Sequence, residues 1–537
     1  MNKHLIYILL AIVILVLPNI PLIHAQEFNY SEGVQEQLTM IRISNKVYST
    51  ASRLDANLTF YPLDDFRQSS YSVTPPGAEP SASGIMFHFN QKGELEFSID
   101  SNVSTTLVIS PLIGKDVEEI KSQASANKDL TQYLKSSRFS DSASPIIENK
   151  AQQLTQETNN SVEILYILAE YIKNSMTYDL DYSELKKASQ IIVEKQGVCA
   201  QYTILFIALT KSLGIPSRYV SGIAYTKRTE SFQEHAWAEV WLSDQGWVPF
   251  DVTFGEYGWL DTSHIALKKS IDAGDSSIKY SYIGGYIQPE EISINASVLG
   301  YQLGNSFSNI TLDLELYKEK VSQGSYVPLK VRIKNNNPYY LFLPIRVSIA
   351  PEVHGKFQKI ILLEPSSEKE TFFMLYVPEN EKCRNGCVAN IEVKDSFNDS
   401  ASTSLIFSDF YEEISLDKAT SIVNGSDEDF GDFDFYCIPE LYNKEDASKK
   451  ILCRINSSKS KKIILCYKER CFETYSEKDK EIIELIDIPK NETRACVTLN
   501  DSTIMLSSCV DFNKNENDSI KNALDKFIRW LKSLFDF

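Results

Sequence analysis

Cysteine is nearly missing from this chain ahead of Cys383, where Cys199 stands alone; the other eight of the nine lie between Cys383 and Cys509. Histidine is scarcer still, with six in 537 residues, so few positions can supply an imidazole. There is no excess of basic residues: 54 Lys and Arg face 72 Asp and Glu, for a net charge of -18. Phosphate backbones are bound by concentrated Lys and Arg, so nucleic acid is excluded as a partner. Long apolar runs are also lacking, apart from LIYILLAIVILVL at residues 5 to 17. No collagen-like, heptad or internal repeat is present, which excludes fibrous and solenoid architectures.

What is present reads as globular. The 43% hydrophobic content supports buried cores, and a chain of this length divides into three or four domains. Lys3, the apolar run and Pro18 with Pro21 make residues 1–25 a targeting segment, with Ala25 ending a cleavage site. Thirteen apolar residues fall short of the roughly 20 needed to span a bilayer, which favours a cleaved signal peptide over an N-terminal anchor. Either form places the remainder outside the cell or on its surface. Twelve Asn-X-Ser/Thr sequons, from Asn29 to Asn517, agree with export and glycosylation. The eight C-terminal cysteines then read as disulfides, mostly local, with Cys383 to Cys387 as one pair. The spacings CRNGC and CYKERC are not those of paired zinc knuckles.

Along the chain, residues 26–120 alternate short β-like runs with turns and predict a β-rich N-terminal domain. A core domain spans 121–290, where VEILYILAEYIKNSM (162 to 176) and KASQIIVEKQ (187 to 196) predict helices and 217 to 251 predicts strands. Residues 305–410 carry LKVRIKN, LPIRVSI, KIILLE and TFFMLYV at the spacing of a β-sandwich of immunoglobulin-like type. Residues 411–515 form a small Cys-rich β domain, entered through an acidic linker at SDEDFGDFD (426 to 434). In the tail, 516–537, Ile520, Leu524, Phe527, Leu531 and Leu534 share one face of an amphipathic helix suited to docking or to membrane-surface contact. The fold class expected is α+β.

The chemistry concentrates around GVCAQYTILFIALTKSLGIP (197 to 216). No breaker interrupts the apolar run until Gly214, so a helix should start near Cys199 and end there. A thiol at a helix N-terminus sits in a field that favours its anion. Its base would come from His235 or, in reserve, His264, since His4 and His24 are in the targeting segment while His88 and His354 fall in other domains. EHAWAEVWLSDQGWVPFD (234 to 251) reads as a β-hairpin turning at SDQG, which folds Asp251 back beside His235. A cysteine, a histidine and an orienting carboxylate are the parts of a nucleophilic triad.

GVC at a helix start, HAWAEVW on a following strand and GWVPFD before Thr253 together resemble the transglutaminase-like core of the papain-like thiol enzymes, over about residues 145 to 268. The resemblance implies Cys199 as nucleophile, His235 as general base and acid, and Asp251 as the third member, with Trp237 and Trp247 packing around them. It implies attack on peptide or protein amide bonds through a thioester, ending in hydrolysis or in isopeptide cross-linking. Neither route calls for a metal or another cofactor. The substrate would be a peptide or protein, including a cell-wall or surface protein. The competing reading is a cell-surface binding or structural protein whose transglutaminase-like core does not catalyse.

Overall fold

The run from Cys199 to Ser212 forms a helix because nothing in it competes with helical hydrogen bonding. It is apolar on all sides because it is buried on all sides. Gly214, with φ of +86°, ends it in the left-handed region that glycine enters without strain. The computed structural model describes residues 33–424 except 74, 228, 305–307, 350–352 and 356–357. Beyond those it describes 433–439, 449–457, 461–468, 470–476, 482–488, 494–500 and 505–511. The expected targeting segment, most of the acidic linker and the amphipathic tail lie outside the described residues.

Four helices, α1 (Pro145–Thr155), α2 (Ser161–Ser175), α3 (Ala188–Glu194) and α4 (Cys199–Ser212), pack together on one layer. Asn160 caps α2, its Oδ1 accepting from Val162 N at 3.0 Å. The second layer is an antiparallel sheet of β1 (Ser217–Thr226), β2 (Ser231–Leu242), β3 (Gly246–Asp251), β4 (Glu256–Tyr257) and β5 (Ile265–Ser270), ordered β4-β3-β2-β1-β5. Ala236, Ala238, Val240 and Leu242 alternate along β2 and join the core made with α4. Phe206 of α4 stacks on Phe250 of β3 with ring centroids 5.4 Å apart. Since Phe206 is fully buried, Phe206→Ala should lower the unfolding free energy by about 3–5 kcal/mol, read from urea curves followed by tryptophan fluorescence. A loss under about 1 kcal/mol would mean that the helix is not anchored through this ring.

The flanking regions are β-rich. Residues 34–106 contribute to two sheets, and strands Ile278–Ile283, Ile287–Pro289 and Ser293–Leu303 return from beyond the core to complete them. The sequence suggests a core running on to 290. The pairing places Ile278–Ile283 and Ile287–Pro289 in the N-terminal sheets instead, where Ile278, Tyr280 and Ile287 pack on the core between those sheets. Downstream, a four-stranded sheet centred on Tyr326–Asn335 and a five-stranded sheet centred on Cys387–Asp395 enclose a second core. Its boundary with the first core is blurred: Phe342 packs edge-on against Phe250 and Tyr257, and Tyr166 donates to Ile360 O at 2.8 Å. A helix the sequence analysis did not anticipate, Leu416–Asn424, buries Ala419 and Val423. The remaining described strands form a three-stranded and a four-stranded sheet between Phe433 and Asp511. The architecture is α+β, a mixed helix and sheet core between β-rich regions.

Among the described residues disulfides bridge Cys383 to Cys387 and Cys466 to Cys471, and Cys453 is also disulfide-bonded. The local pairing expected at Cys383 is present. Among the described residues the free cysteine is Cys199. No described helix is long and apolar enough to cross a membrane.

Candidate functional site

Three short segments set the position of Cys199. Thr177–Tyr178 pairs in parallel with Gln196–Gly197, which fixes the chain just ahead of α4. At Gly197 a Cβ would lie 2.4 Å from Gln201 Cβ, so the approach to the helix requires glycine. The Gln201 side chain turns back, its Oε1 accepting from Val198 N at 3.0 Å and its Nε2 donating to Glu184 O at 2.6 Å. Cys199 is thereby the first helical residue and is buried. Thr203 Oγ1 donates to Cys199 O at 2.8 Å and lies 3.1 Å from Ala236 O, tying the helix start to β2 one residue from His235.

The hairpin has the expected shape with a shifted register. Leu242 pairs with Gly246 and Ala238 with Phe250, and Asp244 and Gly246 take positive φ at the turn. Continued along the strands, this register sets Asp251 opposite Trp237, so His235 is its diagonal neighbour two residues along. The contact still forms, with His235 Nε2 2.6 Å from Asp251 Oδ2. The Cys199 side chain hydrogen-bonds with His235 as well.

The residue that sequence reasoning held only in reserve is central. His264 is fully buried, and its Nε2 lies 3.0 Å from the same Asp251 Oδ2 while its Nδ1 lies 2.9 Å from Asp261 Oδ1. Asp251 Oδ1 accepts from Thr253 N at 2.8 Å and Phe254 N at 3.0 Å. A carboxylate with no exposure thus holds two imidazoles and two amides. The segment carrying His264 is clamped by the N-terminal region: Arg67 donates to His264 O and to Asp261 O, both at 2.7 Å. Gln68 exchanges two hydrogen bonds with the backbone of Ala266. The Asp261-to-His264 spacing was the available signal, but nothing in it announces that a strand 200 residues upstream supplies the clamp.

Charges in this cluster are strongly perturbed. Burial disfavours ionised Asp251, but His235 and His264 outweigh it and hold the carboxyl well below its ordinary range. Burial likewise opposes a charge on His235, yet Asp251 beside it raises the imidazole well above its ordinary value. His264 is raised to about 9, with Asp261 and Glu256 overcoming burial. Glu256 is pushed up to about 8 by burial and by Asp261. Phe254, 4.6 Å from the His235 ring, and Trp237, 5.3 Å from the His264 ring, wall the cluster with apolar surface.

This arrangement corrects the expected thiol enzyme. The grouping of donor atoms is His235, Asp251 and His264, all within 4.8 Å of one another, a His–Asp–His set of the kind that ligates metals. Cys199 is not one of that donor set; its side chain hydrogen-bonds with His235. Asp251 does not serve one histidine as the orienting member of a Cys–His–Asp triad; its charge is divided between two. The assignments of cysteine nucleophile, catalytic triad, hydrolase and acyltransferase are therefore withdrawn. The physical reason they arose is that a second histidine thirteen residues past Asp251 lies outside the hairpin on which the triad was built.

Residues 148–252 match the transglutaminase-like superfamily, a segment of this chain that includes Cys199, His235 and Asp251. An uncharacterized protein of Bacillus subtilis, YebA, is 27% identical over 150 residues, covering 24% of this chain and 20% of that protein. An uncharacterized protein of Mycobacterium leprae, ML0607, is 38% identical over 64 residues, 11% of this chain and 22% of its own length. The chain thus spans about a fifth of the length of these curated relatives. Among solved structures, a putative cysteine protease from Cytophaga hutchinsonii matches at a TM-score of 0.38 and 18% identity, over 50% of this chain and 93% of that one. Red sea bream transglutaminase matches at a TM-score of 0.18 and 10% identity, over 89% and 93%. The family match establishes a transglutaminase-like superfamily relationship at one internal segment, residues 148–252.

Proposed function

We propose that this chain is an exported binding or structural protein of the cell surface whose transglutaminase-like core is non-catalytic. The observation that carries the reading is the division of Asp251 Oδ2 between His235 and His264. In an acyl-transfer triad the carboxylate's charge is reserved for the imidazolium that forms as the nucleophile loses its proton. Here a second imidazole, itself held by Asp261, already draws on that charge. The cluster ties β2, β3 and the loop before β5 into one unit, which is a structural task. Export is supported by the apolar run at 5 to 17 and by the disulfides at Cys383 and Cys466.

The test is turnover. Full-length protein incubated with glutamine-containing peptides and a lysine analogue should release no more ammonia than buffer. It should form no isopeptide bond and no hydrolysed amide by mass spectrometry, and Cys199→Ala should behave identically. Ammonia release or amide cleavage that disappears in Cys199→Ala would overturn the reading.

A further inference from the structure

The geometry points to a divalent transition-metal site, of zinc or cobalt type, held by His235 Nε2, His264 Nε2 and Asp251 in the transglutaminase-like core. The inference rests on the reading of that core as a binding module and names its ligand. Two imidazoles and one carboxylate suit borderline cations such as Zn(II) rather than calcium or magnesium, which prefer oxygen shells. The donors converge: Asp251 Oδ2 is 2.6 Å and 3.0 Å from the two Nε2 atoms. Those are hydrogen-bond lengths, bridged by protons. A tetrahedral ion with bonds of about 2.0–2.1 Å would replace both protons and separate the donors by a few tenths of an ångström.

The outer partners have the form that metal sites use. Ligating histidines donate their second nitrogen to a carboxylate, backbone carbonyl or water, which fixes ring orientation. His264 Nδ1 meets Asp261 Oδ1 at 2.9 Å, and Ser263 N and Oγ hold that same carboxylate oxygen at 2.8 and 2.7 Å. His235 is held by the Cys199 side chain in addition to Asp251. The remaining oxygen of Asp251 is anchored by the amides of Thr253 and Phe254. A separate observation comes from two buried polar atoms of residues that border the cluster, Trp237 Nε1 and Thr253 Oγ1, which have no hydrogen-bond partner among the described residues. Buried donors are ordinarily satisfied. Three protein ligands leave a fourth position for a water or small anion, a species able to accept from such groups.

The test uses full-length protein stripped with chelator and titrated with Co(II), read by visible absorption, and with Zn(II), read by calorimetry. One equivalent should bind with the d–d bands of a four-coordinate ion and no thiolate charge-transfer band. His264→Gln and His235→Ala should each abolish stoichiometric binding, and Asp261→Asn should weaken it about 10–100-fold. Circular dichroism establishes that each variant is folded, and Asp261→Asn keeps the test open where a ligand variant does not fold. Absence of binding by folded wild-type protein, binding unchanged in a folded variant, or a thiolate band placing Cys199 in the shell would overturn the site. The amide-turnover assay run on the same samples separates the two failures. No metal with no turnover removes only the metal site, whereas Cys199-dependent turnover removes the binding-module reading itself.

Discussion

Asp251→Ala is expected to destabilise the helix-and-sheet core by about 5 kcal/mol at neutral pH. The substitution removes a carboxylate with no solvent exposure from between two imidazoles and two backbone amides. Breaking a buried ion pair by deleting one partner costs about 3–5 kcal/mol, because the remaining charge is left unpaired in a low dielectric. Here two imidazoles are stranded together with the Thr253 and Phe254 amides. The loss is thus at the upper end of that range, against a whole-domain stability of about 5–15 kcal/mol. Asp251→Asn keeps the shape and one acceptor oxygen and should lose less than the alanine variant. Four of the five tryptophans, Trp237, Trp241, Trp247 and Trp259, lie in or beside this core. Urea denaturation followed by their fluorescence therefore reads it directly. An alanine variant within about 1 kcal/mol of wild type would show that the cluster contributes no more than a surface ion pair.

Raising the pH from 6.5 to 9 is expected to weaken the fold markedly, with His264, His235 and Glu256 as the groups responsible. His264 has a folded value of about 9 against an ordinary 6.5, so the fold holds its proton more tightly than the unfolded chain does. Its stabilisation is complete below 6.5 and is lost as pH rises through 9. Glu256, at about 8 against an ordinary 4.5, is likewise protonated more readily in the fold, so its favourable contribution disappears between 4.5 and 8. Asp251 has the opposite sign: its folded value is depressed, so its contribution is present above 3.8 and declines as pH falls below that. Maximum stability from these groups should fall at about pH 4–5, with an alkaline decline from His264 on the order of 3 kcal/mol. His264→Gln should flatten the decline between 6.5 and 9 and lower stability at pH 5. Glu256→Gln should raise stability at pH 8, where the wild-type carboxylate is being forced to ionise in a buried site. An alkaline slope unchanged by both substitutions would reject this account.

Local chemistry made much of the core legible. The helix from Cys199 to Ser212 is written in an unbroken apolar run closed by Gly214, and α2 in the apolar face after Asn160. The hairpin joining His235 to Asp251 is written in two apolar strands around a polar turn, and even a register two residues off leaves the two side chains adjacent, since diagonal neighbours still touch. The Cys383–Cys387 bridge follows from four residues of spacing in an oxidised region. Each of these depends on residues close in sequence, where propensity and periodicity act.

Composition and order thus determined the α+β class, the helix that begins at Cys199 and the pairing of His235 with Asp251. Only the tertiary structure decided what that pair belongs to. His264 enters the cluster because β5 lies beside β1 and because Arg67 and Gln68, some 200 residues earlier, hold its loop against the core. The strands after the core close the N-terminal sheets for the same kind of reason. Such contacts arise where separate layers meet, and their free energy comes from burying and satisfying polar groups jointly. A buried carboxylate accepts as many donors as the packing delivers, and the number delivered is a property of the assembled layers, with no trace in the spacing of the residues around it.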